Sequence, residues 1–299
     1  MKVLICDPTE SDALQAISAA GIEVVNRPDV TPDELMEIIP EYDGMVVRSR
    51  TKVRAPLLDQ AVNLKVIVRG GVGLDNIDVG HAQSTGIAVL NTPAASSDSV
   101  AELTVGYLFA LARNIPAMTL SMGEGKWEKK KFKGTEISSK TLGLIGFGRI
   151  GQATGKRAHA LGMQVLFFRR SPTDVPYANQ VSLDELLAQS DYISLHTPHT
   201  TETHHIIDAD AISKMKDGVY IVNCGRGGTI DEEALYDALV AGKVAGAALD
   251  VFEEEPAQEH KLFSLAQVIG SPHVGAATKE AQARVGAEVA EKVIEFFNT

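Results

Sequence analysis

Short, unbroken apolar runs recur along the chain, each followed by a stretch of helical spacing. The first set covers residues 3–6, 22–25, 45–47, 66–68 and 87–90. Continuous hydrophobicity, rather than strict alternation, is what strands buried on both faces of a parallel sheet require. Between them, Thr31, Pro32 and Glu34 predict a helix start, with a capping box and a proline preset for the first turn. A long amphipathic helix follows, expected to open at a capping box from Ser99 to Glu102. It would bury Val100, Leu103, Tyr107, Leu108 and Leu111, and Pro116 is expected to end it. Beyond a basic, turn-rich stretch over 123–134, a second set of runs covers 142–145, 165–168, 192–195, 219–222, 244–248 and 268–269. Strands spaced by helices in this way predict a second parallel sheet. The last segment, 280–297, places Val285, Val289, Val293 and Phe297 four apart on one helix face. The pattern as a whole is α/β, with two doubly wound parallel-sheet domains.

A length of 299 residues agrees with two domains. The balance of 28 basic against 39 acidic residues leaves −11, which argues against nucleic acid as a partner, because such binders need a basic stripe to displace counterions. With 44% hydrophobic and 22% charged residues, a sizeable core is available. The two cysteines, Cys6 and Cys224, lie far apart without metal-ligand spacing, so no metal is expected and both read as reduced thiols of a cytoplasmic protein. No run approaches a membrane-spanning length, and no secretory leader pattern opens the chain.

Gly146-Phe147-Gly148-Arg149-Ile150-Gly151 follows the run at 142–145 and opens a helical pattern. A glycine-rich turn between strand and helix, with another strand after it, is the arrangement that binds a dinucleotide. Gly146 permits the tight turn, Gly148 lets backbone N–H groups approach a pyrophosphate, and Gly151 lets helix and strand pack closely. The following strand ends in Phe168-Arg169-Arg170-Ser171, where an acid that selects NAD through the ribose hydroxyls would stand. Two guanidinium groups and a hydroxyl suit a 2′-phosphate, so NADP is expected, with NAD left open.

Ligands in open parallel sheets bind outside the carboxyl ends of the strands. Three polar clusters stand there: Asn223-Cys224-Gly225-Arg226-Gly227-Gly228, then Asp250 with Glu253-Glu254-Glu255-Pro256, then Ser271-Pro272-His273. An arginine, a carboxylate and a histidine meeting beside a nicotinamide would serve interconversion of an alcohol and a ketone next to a carboxylate. Arg226 would hold the substrate carboxylate and polarise the carbonyl. His273 would give or take the hydroxyl proton, and Glu255 would favour and orient its charged form. His196, His199, His204 and His205 read as ordinary histidines of one loop.

These same residues resemble the D-isomer-specific 2-hydroxyacid dehydrogenase family. The likeness runs through Val47-Arg48-Ser49, Thr51-Lys52-Val53, 69–78, Asn91-Thr92-Pro93, Ala101-Glu102, Gly125-Lys126-Trp127, the Gly146 turn and the three strand-end clusters. It implies a flavodoxin-like substrate domain made of 1–95 plus 281–299, and a Rossmann nucleotide-binding domain over 96–280. Arg226, Glu255 and His273 match the family's catalytic trio. Gly146, Gly148, Arg149, Ile150, Gly151, Arg169, Arg170, Ser171, Cys224 and Asp250 fall on the cofactor side, with Asp250 matching the aspartate that receives the nicotinamide carboxamide. Arg48, Ser49, Arg50, Gly71, Val72 and Gly73 fall on the substrate side, where glycine lets backbone N–H groups come close to a carboxylate. The resemblance also implies a homodimer, with 123–134 reaching the partner. Lys129, Lys130 and Lys131 read equally as a solvated charge run.

The members it most resembles act on 3-phosphoglycerate and 3-phosphohydroxypyruvate, with Arg48 and Arg50 as phosphate partners; a surface salt bridge is the plainer reading of that pair. The alternative is NADPH-dependent reduction of glyoxylate or hydroxypyruvate, and a third reading is a nicotinamide-sensing corepressor that works by binding. Ser96 stands where many relatives have asparagine. The chain ends without the serine-binding regulatory domain of some relatives, so feedback by that route is not expected.

Overall fold

Each apolar run forms a parallel strand: the inner ones are buried and can satisfy their backbone only by pairing within a sheet, while the runs at 23–26, 88–91 and 268–270 form partly exposed edge strands. The computed structural model describes residues 1–298. It divides into two compact units, the first made of Met1–Ser96 together with the chain from Ala277 on, the second of Ser97–Ala276.

In the first unit the order along the chain is β1 (Lys2–Ile5), α1 (Ser11–Ala19), β2 (Glu23–Asn26), α2 (Pro32–Ile38), β3 (Gly44–Val47), α3 (Ala55–Gln60), β4 (Val66–Arg69), α4 (Val79–Ser84) and β5 (Ala88–Asn91). The parallel sheet runs β2-β1-β3-β4-β5, so the strand order reverses between β1 and β3 and opens a crevice at their carboxyl ends. The Thr31 box forms: its hydroxyl accepts from the Glu34 N–H while Glu34 reaches back to the Thr31 N–H. The C-terminal helix, Lys279–Asn298, covers one face of this sheet, burying Val285, Val289, Ala290 and Val293 against Val3, Ile5, Val46, Val66 and Val68.

The second unit begins with α5 (Ser97–Arg113) and α6 (Ile115–Gly123), followed by β6 (Thr141–Ile145), α7 (Arg149–Ala160), β7 (Gln164–Phe168), β8 (Asn179–Gln180), α8 (Leu183–Gln189), β9 (Tyr192–Leu195), α9 (Ala209–Lys214), β10 (Val219–Asn223), α10 (Glu232–Val240), β11 (Val244–Leu249) and β12 (Val268–Gly270). The sheet order β12-β11-β10-β9-β6-β7-β8 is that of a dinucleotide-binding sheet with one further strand, and its order reverses between β6 and β9. Among the described residues no helix is long and apolar enough to cross a membrane.

Two helix boundaries differ from those the sequence predicts. Helix α5 starts at Ser97, so Ser99 lies inside it and Glu102 turns outward to Arg157 at 3.5 Å instead of back toward a cap. Pro116 opens α6 rather than closing α5: the break is Asn114, which takes the left-handed conformation at φ 52° and leaves the proline in the next first turn, where its missing N–H costs nothing. The two-residue strand β8 has no apolar pattern to announce it.

Gly143, in β6, has no room for a side chain. A Cβ there would stand 2.2 Å from Ser190 Oγ and 2.6 Å from a Leu186 methyl, at the contact between sheet and α8. Gly143→Ala is expected to lower unfolding stability by about 1–3 kcal/mol through overpacking, read as an earlier urea midpoint at unchanged slope.

Candidate active site

At the second unit's switch point, β6 delivers the glycine turn. Gly146 takes φ 94°, and a Cβ on it would strike the His196 carbonyl at 2.7 Å and the Thr197 methyl at 2.9 Å. At Gly151 a Cβ would fall 2.3 Å from the Gly146 carbonyl, so the helix and the turn touch through glycine alone. Phe147 points inward, stacked on Phe167 with ring centroids 3.8 Å apart, and anchors the turn. Gly148, at the N-cap of α7, faces open space and supplies no side chain to the first N–H groups. Beside it, buried Thr197 Oγ1 and His196 Nδ1 have no protein partner. Burial pushes His196 down to about 4, so it is neutral, with Nε2 on Ser194 Oγ at 3.1 Å. Uncapped N–H groups at a helix start, a cradle that a single Cβ would fill and an orphaned hydroxyl fit the phosphates of a dinucleotide.

Past β7, Arg169 donates to the Phe147 carbonyl at 3.3 Å, so its guanidinium braces the turn. Gln180 ties the Arg169 and Ser171 carbonyls at 2.9 and 3.4 Å, which gives β8 its purpose, while Arg170 and Ser171 are exposed. Arg149 is exposed at the start of α7, and Ile150 packs on the core. The Cys224 thiol lies in the core under α5, its pKa pushed up to about 12 by burial, and presents no accessible side chain.

The strand ends of β10, β11 and β12 carry the candidate reactive groups. Asn223 organises the loop after β10: its Nδ2 donates to the Arg226 carbonyl at 2.9 Å and to Thr229 Oγ1 at 3.1 Å, and its Oδ1 accepts from the Gly225 N–H at 3.0 Å. Arg226 is half-buried, with Nη1 on the Gly225 carbonyl at 2.7 Å. Gly227 lies directly on the loop after β11, where a Cβ would fall 1.7 Å from the Phe252 carbonyl. That close approach brings the arginine loop against the loop bearing Glu255.

His273 Nδ1 donates to Glu255 Oε2 at 2.8 Å, and Glu255 Oε1 accepts from the Phe252 N–H at 3.2 Å. This pairing leaves Nε2 as the imidazole nitrogen for a substrate oxygen. Desolvation works to raise the Glu255 pKa, but the His273 hydrogen bond and charge, the Phe252 N–H and the Arg226 charge together outweigh it and hold the carboxyl below its ordinary value. His273 itself sits at φ 52°, a left-handed conformation that non-glycine residues adopt only where the surroundings impose it. Asp250, 1% exposed, supplies the constraint: Oδ1 accepts from Ser271 Oγ and from the Val274 N–H at 2.8 Å, and Oδ2 accepts from the Gly275 N–H at 2.7 Å. One lone pair on Oδ2 remains for a further donor.

Several supporting groups carry no motif. Glu232 and Glu253 exchange backbone hydrogen bonds, the Glu253 N–H to Glu232 Oε1 at 2.9 Å and the Glu232 N–H to Glu253 Oε1 at 3.3 Å. His260 Nε2 donates to Glu232 at 2.8 Å and His205 Nε2 to Glu253 at 3.0 Å, so two imidazoles brace the loop before Glu255. No local sequence signal announces this pairing, because its partners lie 28 and 48 residues apart.

In the first unit the crevice between β1 and β3 holds buried Asp7. It accepts from Arg50 Nε at 2.9 Å and from the Arg48 N–H, while Arg50 Nη2 donates to the Cys6 and Pro28 carbonyls. Arg48 Nη1 meets the Pro8 carbonyl at 3.4 Å. Asn76 ties the loop containing Ser49 by donating to the Arg48 and Thr51 carbonyls, each at 2.7 Å. Gly71, at φ 143°, lies against the Arg69 guanidinium, and its carbonyl accepts from the Thr92 N–H at 3.1 Å; Asn91 holds the Val72 carbonyl, which leads into Gly73.

Residues 105–275 match the family described as D-isomer specific 2-hydroxyacid dehydrogenase, NAD binding domain. A hydroxypyruvate reductase of Thermotoga maritima is 53% identical over 98% of this chain and 97% of its own length. A D-3-phosphoglycerate dehydrogenase of Methanocaldococcus jannaschii is 49% identical over 98% of this chain, which spans 57% of that protein. Among solved structures, D-lactate dehydrogenase of Aquifex aeolicus, complexed with NAD and lactic acid, superimposes with a TM-score of 0.88 at 30% identity, over all of this chain and 96% of that one.

The Glu255 shift sets a pH dependence. A carboxyl whose folded value lies below its unfolded one stabilises the fold above the ordinary value of 4.5, and that contribution is lost as pH falls through the lowered folded value. Glu255→Gln is expected to flatten the acid side of Tm against pH relative to the parent and to leave the neutral side parallel.

Proposed function

Since the chain belongs to the D-isomer specific 2-hydroxyacid dehydrogenases, we propose that it interconverts a D-2-hydroxy acid and a 2-keto acid at Arg226, Glu255 and His273, with 3-phosphoglycerate and 3-phosphohydroxypyruvate as the pair. The observation that carries the reading is the 2.8 Å contact of His273 Nδ1 with Glu255 on a loop in direct contact with the one bearing Arg226. A bound nicotinamide cofactor would supply or accept the hydride. The Gly146–Gly151 turn and the start of α7 would hold its phosphates, and Asp250 its carboxamide through the remaining lone pair on Oδ2.

For reduction, Arg226 grips the substrate carboxylate and draws charge from the adjacent carbonyl. His273, protonated, gives its Nε2 proton to the carbonyl oxygen as the hydride arrives at carbon; Glu255 holds the imidazolium before transfer and the neutral ring after it. Oxidation runs the same groups in reverse, His273 accepting the hydroxyl proton. Overall, keto acid, reduced nicotinamide and one proton give hydroxy acid and oxidised nicotinamide.

Within the nicotinamides our reading is NADP, because Arg170 and Ser171 stand exposed after β7 where an acid would select NAD. A second reading, reduction of unphosphorylated hydroxypyruvate, is favoured by Arg50, whose Nε and Nη2 donors are taken by Asp7 and two carbonyls, and by the relative that bears that name. We further read the protein as a cytoplasmic homodimer, joined through α5, α6 and the segment after them. Trp127 is 81% and Leu120 70% exposed there, together with Met122 and Ile115.

A matrix of initial rates, NADPH and NADH against 3-phosphohydroxypyruvate, hydroxypyruvate and glyoxylate, tests the assignment. The expected result is fastest turnover of the phosphorylated acid with NADPH, and loss of the NADPH preference in Arg170→Ala. Preference for hydroxypyruvate establishes the second reading, and absence of any nicotinamide oxidation overturns both. His273→Asn should cost about 10²–10⁴-fold in kcat/KM. Reduction and oxidation should show opposite pH trends in the parent enzyme; parallel trends, with chemistry rate-limiting, would remove the proton-transfer role.

A further inference from the structure

Among the described residues, Tyr107 is the aromatic hydroxyl tied to the strand-end loops, and nothing in its helix explains it. It sits on the buried face of α5, 7% exposed, and packs with Val100, Leu108 and Leu111, where a phenylalanine would fill the same space without a polar atom to satisfy. Its hydroxyl instead donates to Ser271 Oγ, 164 residues away, and Ser271 in turn donates to Asp250 Oδ1. Asp250 also receives the N–H groups of Val274 and Gly275. The donors to this one carboxylate thus come from residues two before, one after and two after His273. A buried carboxylate with three donors bracketing a left-handed residue over-determines that residue's backbone, and each lost donor returns freedom to it.

We propose that Tyr107 is a positioning residue for His273, acting through Ser271 and Asp250. The inference rests on the role of His273 given above. Burial pushes the Tyr107 phenol up to about 12, partly opposed by its hydrogen bond to Ser271, so it remains a donor across the working range. With the phenol in place, the Ser271 hydroxyl is directed at Asp250 rather than free to rotate, and the loop presents the imidazole to Glu255 in one orientation. The charged groups around His273 are Glu255 in contact, Arg226 acting on Glu255, and Asp250 beneath the loop.

The test uses Tyr107→Phe, Ser271→Ala and the double variant in the full chain, with His273→Asn as reference. Tyr107→Phe is expected to lower kcat by about 3- to 10-fold, the scale of one hydrogen bond, with little change in KM for the cofactor. The pH limb of kcat/KM for reduction should move to lower pH, because a loosened imidazolium meets Glu255 less often. Ser271→Ala should reproduce that shift, and the double variant should be no worse than Ser271→Ala, as links in one chain require. Losses that simply add, or a parental rate and pH profile in both single variants while His273→Asn is inactive, overturn the link and leave the site intact. An active His273→Asn would remove the site assignment itself. If Tyr107→Phe fails to fold, Ser271→Ala with its pH profile decides the question alone.

Discussion

A single hydrogen bond, from His273 Nδ1 to Glu255, is what the second unit is arranged to hold. An imidazole and a carboxylate at 2.8 Å on two loops would drift apart unless each loop were fixed independently, since one such contact is worth about 1.5–3 kcal/mol at most and must offset the ordering of both side chains. Each loop is fixed. Asp250 gathers the histidine loop from both sides, and Glu232 with His260 and His205 pins the segment that precedes Glu255. Between them Gly227 lets the arginine loop lie flat on the Phe252 peptide, where any side chain would force the two apart. The His273–Glu255 contact is thus framed by three backbone anchors.

The sequence made the strands legible because their apolar runs are continuous, and it made the glycine turn legible because each of its glycines is required by a contact under 3 Å or by an open helix start. What it concealed is instructive. Asn179-Gln180 forms a strand for the sake of the Gln180 side chain, which ties the loop after β7, so no hydrophobic period could reveal it. Pro116 could end one helix or begin another, and the choice fell to Asn114, whose left-handed backbone is invisible in composition. Tyr107 was legible as a core position, but its hydroxyl was not, because a partner 164 residues away exists only once α5 lies on the sheet. Arginine clusters were the most ambiguous signal: Arg50 and Arg169 both spend donors on backbone carbonyls, which the type of residue alone does not announce.

That use of arginine connects the two sheets. In each, strand order reverses, a crevice opens, and the chain must turn sharply at the carboxyl end of the first strand. Sharp turns leave carbonyls unpaired, and a guanidinium with five donors can satisfy them while keeping an edge toward the crevice. Arg50 does this after β1 and Arg169 after β6. Arg50 and Arg169, candidates for ligand contacts, are thus part of the scaffold of their turns. Removing one would test stability and binding together, whereas Arg170, exposed and not bound to the turn, reports on binding alone.

Charge gives the same lesson at a larger scale. A chain with net charge −11 that handles anionic acids and a polyphosphate cofactor gains nothing from long-range attraction, and over a Debye length of about 8 Å its own field is screened in any case. On the proposed reading, recognition of the cofactor comes from short-range donors, the N–H groups at the start of α7. Such donors are directional, so they work only where the backbone is rigid. The dense anchoring of loops in each unit supplies that rigidity.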